Sequence, residues 1–268
     1  MKLFERDYMR LTDAERTEWQ SLRETEVVDK TGSIEVRVSK FHDYPKAARH
    51  FDSLFPNQYL DIVELADTDR LNTLLNDFQK LIDSPQANER EILNYISSTH
   101  SHFIIGAILK NNYSFGHHDA FLFREFPLGT SYKADYLLVG QSSDGWSFVF
   151  VELESPNENV TLKNGDLGAS FRKGLNQISD WDAWIDGHFP SLTEVFSKCK
   201  HPDTALPDEF VKLDKSRIHY VVVAGRRTDF LDKTYRTRRT KLRDNAELIL
   251  HYDNVVDAAR GVIGRETY

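Results

Sequence analysis

Two glutamates end a run of apolar residues in the segment VFVELESPN, residues 149–157. Successive side chains of a β-strand point to opposite faces, so Glu152 and Glu154 share one face of such a strand. Phe148 and Phe150 precede them on that face, and the opposite face is apolar as well. Apolar residues on both faces are typical of a central strand that is buried on both sides. The spacing therefore predicts two carboxylates side by side at the end of a buried strand.

A third carboxylate, Asp135, belongs to the preceding strand-like segment ADYLLVGQ. The dipeptide formed by Asp144 and Gly145 is a strong signal for a hairpin turn. A turn centred on this dipeptide places Asp135 opposite Glu154. Directly opposed Cβ atoms lie roughly 4.5–5.5 Å apart and diagonal neighbours roughly 7–8 Å apart. We therefore expect Asp135, Glu152 and Glu154 to converge on one patch, although a slip of one residue would move Asp135 to the other face.

Three carboxylates so close together repel one another and raise their own pKa values unless a cation lies among them. Oxygen ligands alone suit a hard divalent ion such as Mg²⁺ or Mn²⁺. Such an ion activates water for attack on a phosphodiester and offsets the charge that develops on phosphorus. The acidic residues thus predict metal-dependent phosphodiester hydrolysis. A Lys or Arg head group located between the carboxylates would argue against this prediction. The alternative is a strand end that emerges into solvent with both glutamates hydrated.

Two helices must bring further side chains to this patch. The segment NEREILNYISS begins with Asn88, a typical N-cap residue, and its apolar face includes Ile92 and Ile96. Glu89 precedes these two positions by three and seven residues, so it lies on the same side of the helix. The segment ASFRKGLNQISDWDAWIDGHF predicts a second helix, from which the amide of Gln177 could reach back toward the carboxylates.

From residue 86 onward, the pattern of the chain predicts the order helix, strand, strand, strand, helix, strand, strand, helix. The strand segments are AFLFREFPL, ADYLLVGQ, WSFVFVELE, RIHYVVVAGRR and ELIL. Their periodicity and spacing predict an α/β fold in which helices flank a mixed central β-sheet.

The first 85 residues predict a smaller α+β region. The alternating segment SIEVRVSKF, Ser33–Phe41, is typical of a strand, and apolar residues from Leu71 to Ile82 recur at helical spacing. The connector DSPQAN then ends the helix. We expect a regulatory or sensing region at residues 1–85 and the main domain at residues 86–268.

The formal net charge of −8 hides a basic segment between Lys215 and Arg243. This segment contains ten basic residues and two acidic ones, so it carries +8 and leaves −16 for the rest of the chain. Clustered Lys and Arg side chains are typical of surfaces that bind phosphate. The residues expected to hold a DNA backbone are Arg226, Arg227, Arg236, Arg238, Arg239 and Lys241. The alternatives are an ordinary solvated loop and helix, or a subunit interface.

Composition excludes several classes of protein. No stretch approaches the roughly 20 consecutive apolar residues that a membrane span needs, and charges occupy the N-terminal segment where a signal peptide would be apolar. We therefore expect a cytoplasmic protein. The single cysteine, Cys199, excludes an internal disulfide and a cysteine-based zinc cluster. His117 and His118 point apart on an extended chain, which argues against a metal site at these residues. The segment around Gly165 lacks the Lys-Ser/Thr pair of a phosphate-binding P-loop. No small-molecule cofactor is expected.

The order of these motifs resembles the PD-(D/E)XK nuclease fold, and residues 88–260 resemble the nuclease domain of the Shedu antiphage defence family. The motifs that carry the resemblance are NEREILNYI, KADYLLV, FVFVELESP, NQISDW, IHYVVVAGRR and LILHYDNVVDAAR. The resemblance implies a restriction-endonuclease-like core and a metal-dependent DNA endonuclease of a prokaryotic antiphage system. It also implies Mg²⁺ or Mn²⁺ as the cofactor, DNA as the partner and a homo-oligomeric assembly.

Carried over residue by residue, the resemblance implies that Asp135, Glu152 and the backbone carbonyl of Leu153 bind the metal. Glu89 and Gln177 would support them. These five residues all lie in the quoted motifs or directly beside them.

Glu154 departs from the family pattern, which usually has Lys at this position. A lysine there would orient the attacking water and stabilise charge on the phosphate. Glu154 could instead bind metal or act as a general base, and Lys133 or Lys163 could supply the missing positive charge. The alternative is a weakened or inactive nuclease-fold module that binds nucleic acid or assembles with protein partners.

Overall fold

Helices and a small antiparallel sheet precede residue 86. The computed structural model describes residues 1–31, 34–157 and 160–268. The first elements are α1 (Asp13–Glu24), β1 (Val27–Thr31), β2 (Ile34–Arg37), α2 (Lys46–Asp52) and α3 (Thr68–Asp83). Strands β1 and β2 pair antiparallel, and Ser33, at the start of the predicted strand, lies outside the described residues. Helix α3 confirms the predicted amphipathic helix, with Leu71, Leu75 and Phe78 buried.

The rest of the chain forms a five-stranded mixed sheet with helices on both faces. Its elements are α4 (Glu89–Ser98), α5 (Phe103–Asn112), β3 (Ala120–Leu128), β4 (Tyr132–Ser142), β5 (Gly145–Leu153), α6 (Ala169–Cys199), β6 (Ile218–Val223), α7 (Asp232–Asn245), β7 (Glu247–Leu250) and α8 (Tyr252–Val262). The strand order is β3-β4-β5-β6-β7, antiparallel from β3 to β5 and parallel from β5 to β7. The predicted α/β fold with a mixed sheet is therefore confirmed.

Helix α5 was not predicted, and its sequence explains why. In FIIGAILKNN, every residue from Phe103 to Leu109 is buried. A helix that is apolar on all sides lacks the 3.6-residue pattern by which amphipathic helices are recognised.

Strand β5 is buried on both faces, as its sequence predicts. Val149 and Val151 pack in a core cluster with side chains of α3, α4, α5 and α8. Phe148 and Phe150 pack on the other face against α6. This division leaves Glu152 at the end of the α6 face.

The hairpin register differs from the predicted one by two residues. Ser142 pairs with Gly145 and Tyr136 pairs with Val151, so the turn is formed by the two residues before Gly145. Continuing this register places Asp135 opposite Glu152 instead of opposite Glu154, which corrects the predicted pairing. A shift of two residues does not by itself move a side chain to the other face, and Asp135 does line the same cavity as Glu152.

The division of the chain at residue 85 stays a prediction. Leu71 and Phe78 of α3 belong to the same core cluster as Val149 of β5 and Val255 of α8, so apolar packing is continuous across that point. Within the described ranges, no helix combines the length and the apolar character needed to cross a membrane.

Candidate active site

Asp135 and Glu152 meet where β4 and β5 diverge. The last paired residues of the two strands are Tyr136 and Val151. Beyond them, the backbone N–H of Leu153 donates a hydrogen bond of 2.8 Å to Oδ2 of Asp135. The side chain of Asp135 thus accepts the hydrogen bond that a backbone carbonyl of β4 would accept if the two strands continued to pair. This bond fixes the carboxylate of Asp135 beside the end of β5.

A cavity of about 590 Å³ opens over these two carboxylates. Helix α4 forms one wall, β3 and β4 form another, and α6 contributes a third. The lining residues are Glu89, Arg90, Leu93, Asn94, Ser97, Arg124, Glu125, Lys133, Asp135, Glu152, Lys173 and Gln177. Four of the five predicted site residues with acidic or amide side chains, Glu89, Asp135, Glu152 and Gln177, therefore lie around one cavity.

The two carboxylates at the cavity floor resist ionisation. Burial is the largest cause of the raised pKa of Asp135, and the charges of Glu89 and Glu154 raise it further, although the Leu153 N–H lowers it. Burial also raises the pKa of Glu152, followed by the charges of Asp135 and Glu154. Only 4% of the Glu152 surface is exposed. A cation at this point would relieve both causes.

Glu154 has a lysine partner that sequence analysis did not identify. Nζ of Lys173, on α6, donates a hydrogen bond of 2.9 Å to Oε2 of Glu154 and lies 3.5 Å from Oε2 of Glu89. Burial alone would lower the pKa of Lys173, but the hydrogen bond to Glu154 and the charges of Glu154 and Glu89 outweigh it and raise that pKa. Lys173 thus links the first turn of α4 to the end of β5.

This pairing changes the predicted arrangement of three carboxylates. Glu154 lines a neighbouring cavity with Ser155 and Lys173, not the cavity of Asp135 and Glu152. Lys173 therefore neutralises Glu154, while Asp135 and Glu152 face each other beside it. The predicted patch is divided into a two-carboxylate site and an adjacent ion pair. The lysine head group therefore argues against a metal held by all three carboxylates, but leaves Asp135 and Glu152 as the remaining pair.

The two lysines expected to supply positive charge are engaged elsewhere or lie apart. Lys133 forms an ion pair of 2.6 Å with Glu125 at the cavity rim. Lys163 is exposed in the loop before α6 and is not among the residues that line the cavity.

A signal for Lys173 was nevertheless available in the sequence. Lys173 precedes Gln177 by four residues, so a helix that aims Gln177 at the carboxylates also aims Lys173 there.

Close packing of α6 on the sheet makes this contact possible. Gly174 follows Lys173, and a Cβ atom at this position would lie 2.7 Å from Cγ1 of Val222 on β6. On the other side, the hydroxyl of Tyr252 donates a hydrogen bond of 2.7 Å to the backbone carbonyl of Glu154. The backbone that carries Glu154 is thus held between α6 and α8.

The donor set fits a hard divalent cation with a partly open coordination sphere. Oε2 of Glu152 and Oε1 of Gln177 are buried oxygens without a hydrogen-bond partner in the described part of the chain. No group of three His, Cys, Asp or Glu side chains within the described residues could hold a metal. Mg²⁺ needs only one or two carboxylates, because water and phosphate oxygens complete its octahedron. The Leu153 carbonyl as a third ligand stays a prediction.

Much of the charge of the basic segment is compensated by acidic partners. Arg226 bonds Asp83 at 2.7 Å and Asp253 at 2.9 Å. The other ion pairs in the predicted DNA-binding set are Arg227 with Asp257 and Lys241 with Glu247. Arg238 donates to Asn254, whereas Arg236 and Arg239 are exposed and have no ion-pair partner among the described residues. None of the six lines the cavity of Asp135 and Glu152.

Comparison with models of known protein families gives a match over most of the chain. Residues 86–256 match the family model described as "Shedu protein SduA, C-terminal". This stretch is well over half of the chain and includes every residue that lines the cavity. No curated protein and no solved structure matches the chain.

Proposed function

We propose that this chain is a metal-dependent DNA endonuclease. The chain belongs to the Shedu family, and this membership indicates a role in antiphage defence. The observation that carries the proposal is the pair formed by Asp135 and Glu152. These carboxylates converge at the floor of an open cavity, and burial together with mutual repulsion raises their pKa values. Strongly perturbed carboxylates in a cleft are typical of functional sites.

The proposed core is of the PD-(D/E)XK type. Asp135 lies near the start of β4, Glu152 is the residue before the last of β5, and Lys173 and Gln177 of α6 line the same cavity. A Mg²⁺ or Mn²⁺ ion held by Asp135 and Glu152 would act as a Lewis acid and make water nucleophilic near neutral pH.

Lys173 has the position and charge to stabilise the phosphate during hydrolysis. Its side chain is 57% exposed at the cavity edge, while its Nζ is held by Glu154. A fixed positive charge beside a developing negative charge lowers the barrier without reorganisation. In this mechanism Glu154 orients Lys173 and Glu89 holds it from α4, while the unpartnered Oε1 of Gln177 is available as a hydrogen-bond acceptor in the cavity that Glu152 lines. The pair of Glu154 and Lys173 would thus do the work of the lysine that the family pattern has on the strand.

Cleavage of supercoiled, nicked and linear DNA tests the proposal. We expect cleavage with Mg²⁺ or Mn²⁺, none in EDTA, and none by Asp135→Asn or Glu152→Gln variants. Intact DNA under every metal condition, with the same result for the Glu152→Gln variant, would refute the proposed activity.

Two observations favour a second candidate, a non-catalytic module that binds nucleic acid. Within the described ranges, three side chains suited to a metal do not come together, and Glu154 stands where the family pattern has lysine. This candidate predicts salt-sensitive DNA binding without turnover and without a metal requirement. Calorimetric titration with Mn²⁺ separates the two, because only the nuclease requires ion binding that the Asp135→Asn substitution removes.

A further inference from the structure

One face of α4 forms a wall that leads away from the carboxylates. Glu89, Arg90, Asn94 and Ser97 all line the cavity, at spacings that place them along one side of a helix. From Glu89 to Ser97 the helix rises about 12 Å. The cavity therefore continues along α4 as a groove. Asp135 and Glu152 lie near the end of the groove that Glu89 forms.

Arg124 of β3 lies at the other end of this groove. One of its terminal nitrogens, Nη1, donates a hydrogen bond to Oγ of Ser97. Its Nε is buried and has no hydrogen-bond partner in the described part of the chain. Arg124 and Ser97 also line a second cavity, of about 690 Å³, together with Lys2, Glu5 and His100. The two cavities meet at Arg124, so the groove extends past it.

The backbone next to Arg124 departs from regular strand geometry. Glu125 has a φ of 50°, which is rare for a residue other than glycine. Phe123 and Phe126 consequently pack in the same core cluster although two residues separate them. This interruption leaves Arg124 and Glu125 together at the groove.

Arg90 and Arg124 carry the uncompensated positive charge of the groove. Among the residues that the structure describes, neither has a carboxylate within ion-pair distance. By contrast, Lys133 is paired with Glu125 and Lys173 with Glu154. An arginine with free guanidinium donors is the side chain best suited to bidentate contact with phosphate.

We propose that this groove, with Arg124 and Arg90 as its phosphate contacts, binds the backbone of one nucleic-acid strand and leads it to the carboxylates. The inference rests on the proposed function, because it identifies the substrate surface of that site. About 12 Å corresponds to roughly three to four phosphates along one strand of a duplex. Among the described residues that line the cavity of Asp135 and Glu152, Leu93 is the single apolar one, whereas Met1, Leu3 and Phe4 line the second cavity. The part of the groove next to the carboxylates therefore suits a charged backbone better than an apolar peptide.

Fluorescence anisotropy of labelled single-stranded and duplex oligonucleotides tests the proposal. The measurements are made in EDTA, on the Glu152→Gln background, over a series of KCl concentrations. We expect Arg124→Gln and Arg90→Gln each to weaken binding and to lower the slope of log K against log[salt] by about 0.7 to 0.9. Arg16→Gln removes an exposed charge of the same kind from α1 and should leave both quantities unchanged. Arg90 is exposed, so its variant tests the idea even if Arg124→Gln fails to fold.

Three results would overturn the proposal: no binding by the Glu152→Gln protein, equal binding by both groove variants and their parent, or a loss confined to Arg236→Gln and Arg239→Gln. The last result would assign binding to the basic segment. Failure of the groove is distinguishable from failure of the nuclease. Binding that depends on Arg124, in a protein that never cuts DNA, would keep the groove and refute the proposed activity.

Discussion

Nζ of Lys173 lies 2.9 Å from Oε2 of Glu154, and this contact joins the first turns of α6 to the end of β5. Glu154 is 3% exposed, so its charge is held in place by its surroundings. The lysine is more exposed and can reach the cavity edge. The contact places a cation beside the two-carboxylate site although the strand itself carries none.

Replacing Lys173 should remove that cation and slow cleavage. We expect Lys173→Met to lower kcat by about 10²–10³-fold, the usual effect of removing one charge-stabilising donor, with a smaller effect on KM. Lys173→Arg should retain part of the activity. Lys163→Met is the matched control, because Lys163 is exposed and does not line the cavity.

A charge swap tests whether Glu154 acts through Lys173. Lys173→Glu alone places two carboxylates together, whereas adding Glu154→Lys restores an ion pair with the opposite polarity. We expect the double variant to recover cleavage by on the order of tenfold relative to Lys173→Glu. Equal activity of the two proteins in steady-state assays would contradict this role of Glu154.

The raised pKa of Glu152 predicts a dependence of stability on pH. Above about pH 4.3, the ordinary pKa of glutamate, an unfolded chain releases this proton while the folded protein retains it. The free energy of unfolding therefore falls as pH rises toward the folded pKa. Glutamine does not titrate, so Glu152→Gln removes this cost of retaining the proton on folding and should stabilise the protein by about 1–3 kcal/mol at neutral pH.

Urea denaturation at several pH values measures this gain. It should vanish near pH 4, where the carboxyl group is protonated in both states. A gain that is constant with pH would show that the glutamine acts through packing instead of through charge.

Divalent ions should stabilise the folded protein through Asp135 and Glu152. At a free concentration of 100 Kd, an ion that binds only the folded state adds about 2.7 kcal/mol. We expect Mn²⁺ to raise Tm in the native protein and to have no effect on Asp135→Asn. The effect should strengthen from pH 6 to pH 8, because protons compete with the ion for these two carboxylates. An equal rise of Tm in both proteins would place the ion elsewhere.

Gly174 should be intolerant of a side chain. Its Cβ would lie 2.7 Å from Val222, so an alanine must displace α6 from the sheet. We expect Gly174→Ala to cost about 1–3 kcal/mol and to reduce cleavage, because Lys173 moves with the helix. In the same helix Gly187 has no atom within 4 Å of such a Cβ, so Gly187→Ala should leave stability unchanged or slightly higher. Thermal melts and cleavage assays of both variants provide the comparison.

Local patterns of sequence were sufficient for the sheet and for the acidic residues of the site. The alternation of side chains along β5 determined that Glu152 shares a face with Phe148 and Phe150. The two-residue error in the hairpin register changed the residue opposite Asp135 but not this conclusion, which concerns β5 alone. In the same way, helical spacing was sufficient to place Glu89 toward the cavity.

Only the tertiary structure decided which charges meet. The ten basic residues of the segment from Lys215 to Arg243 predict a phosphate-binding surface, yet partners such as Asp83 and Asp253 come from distant parts of the chain. Lys173 reaches Glu154 because Gly174 lets α6 approach β6. Composition and periodicity report which faces are buried. They do not report distances between side chains on different elements, and electrostatic effects depend on those distances.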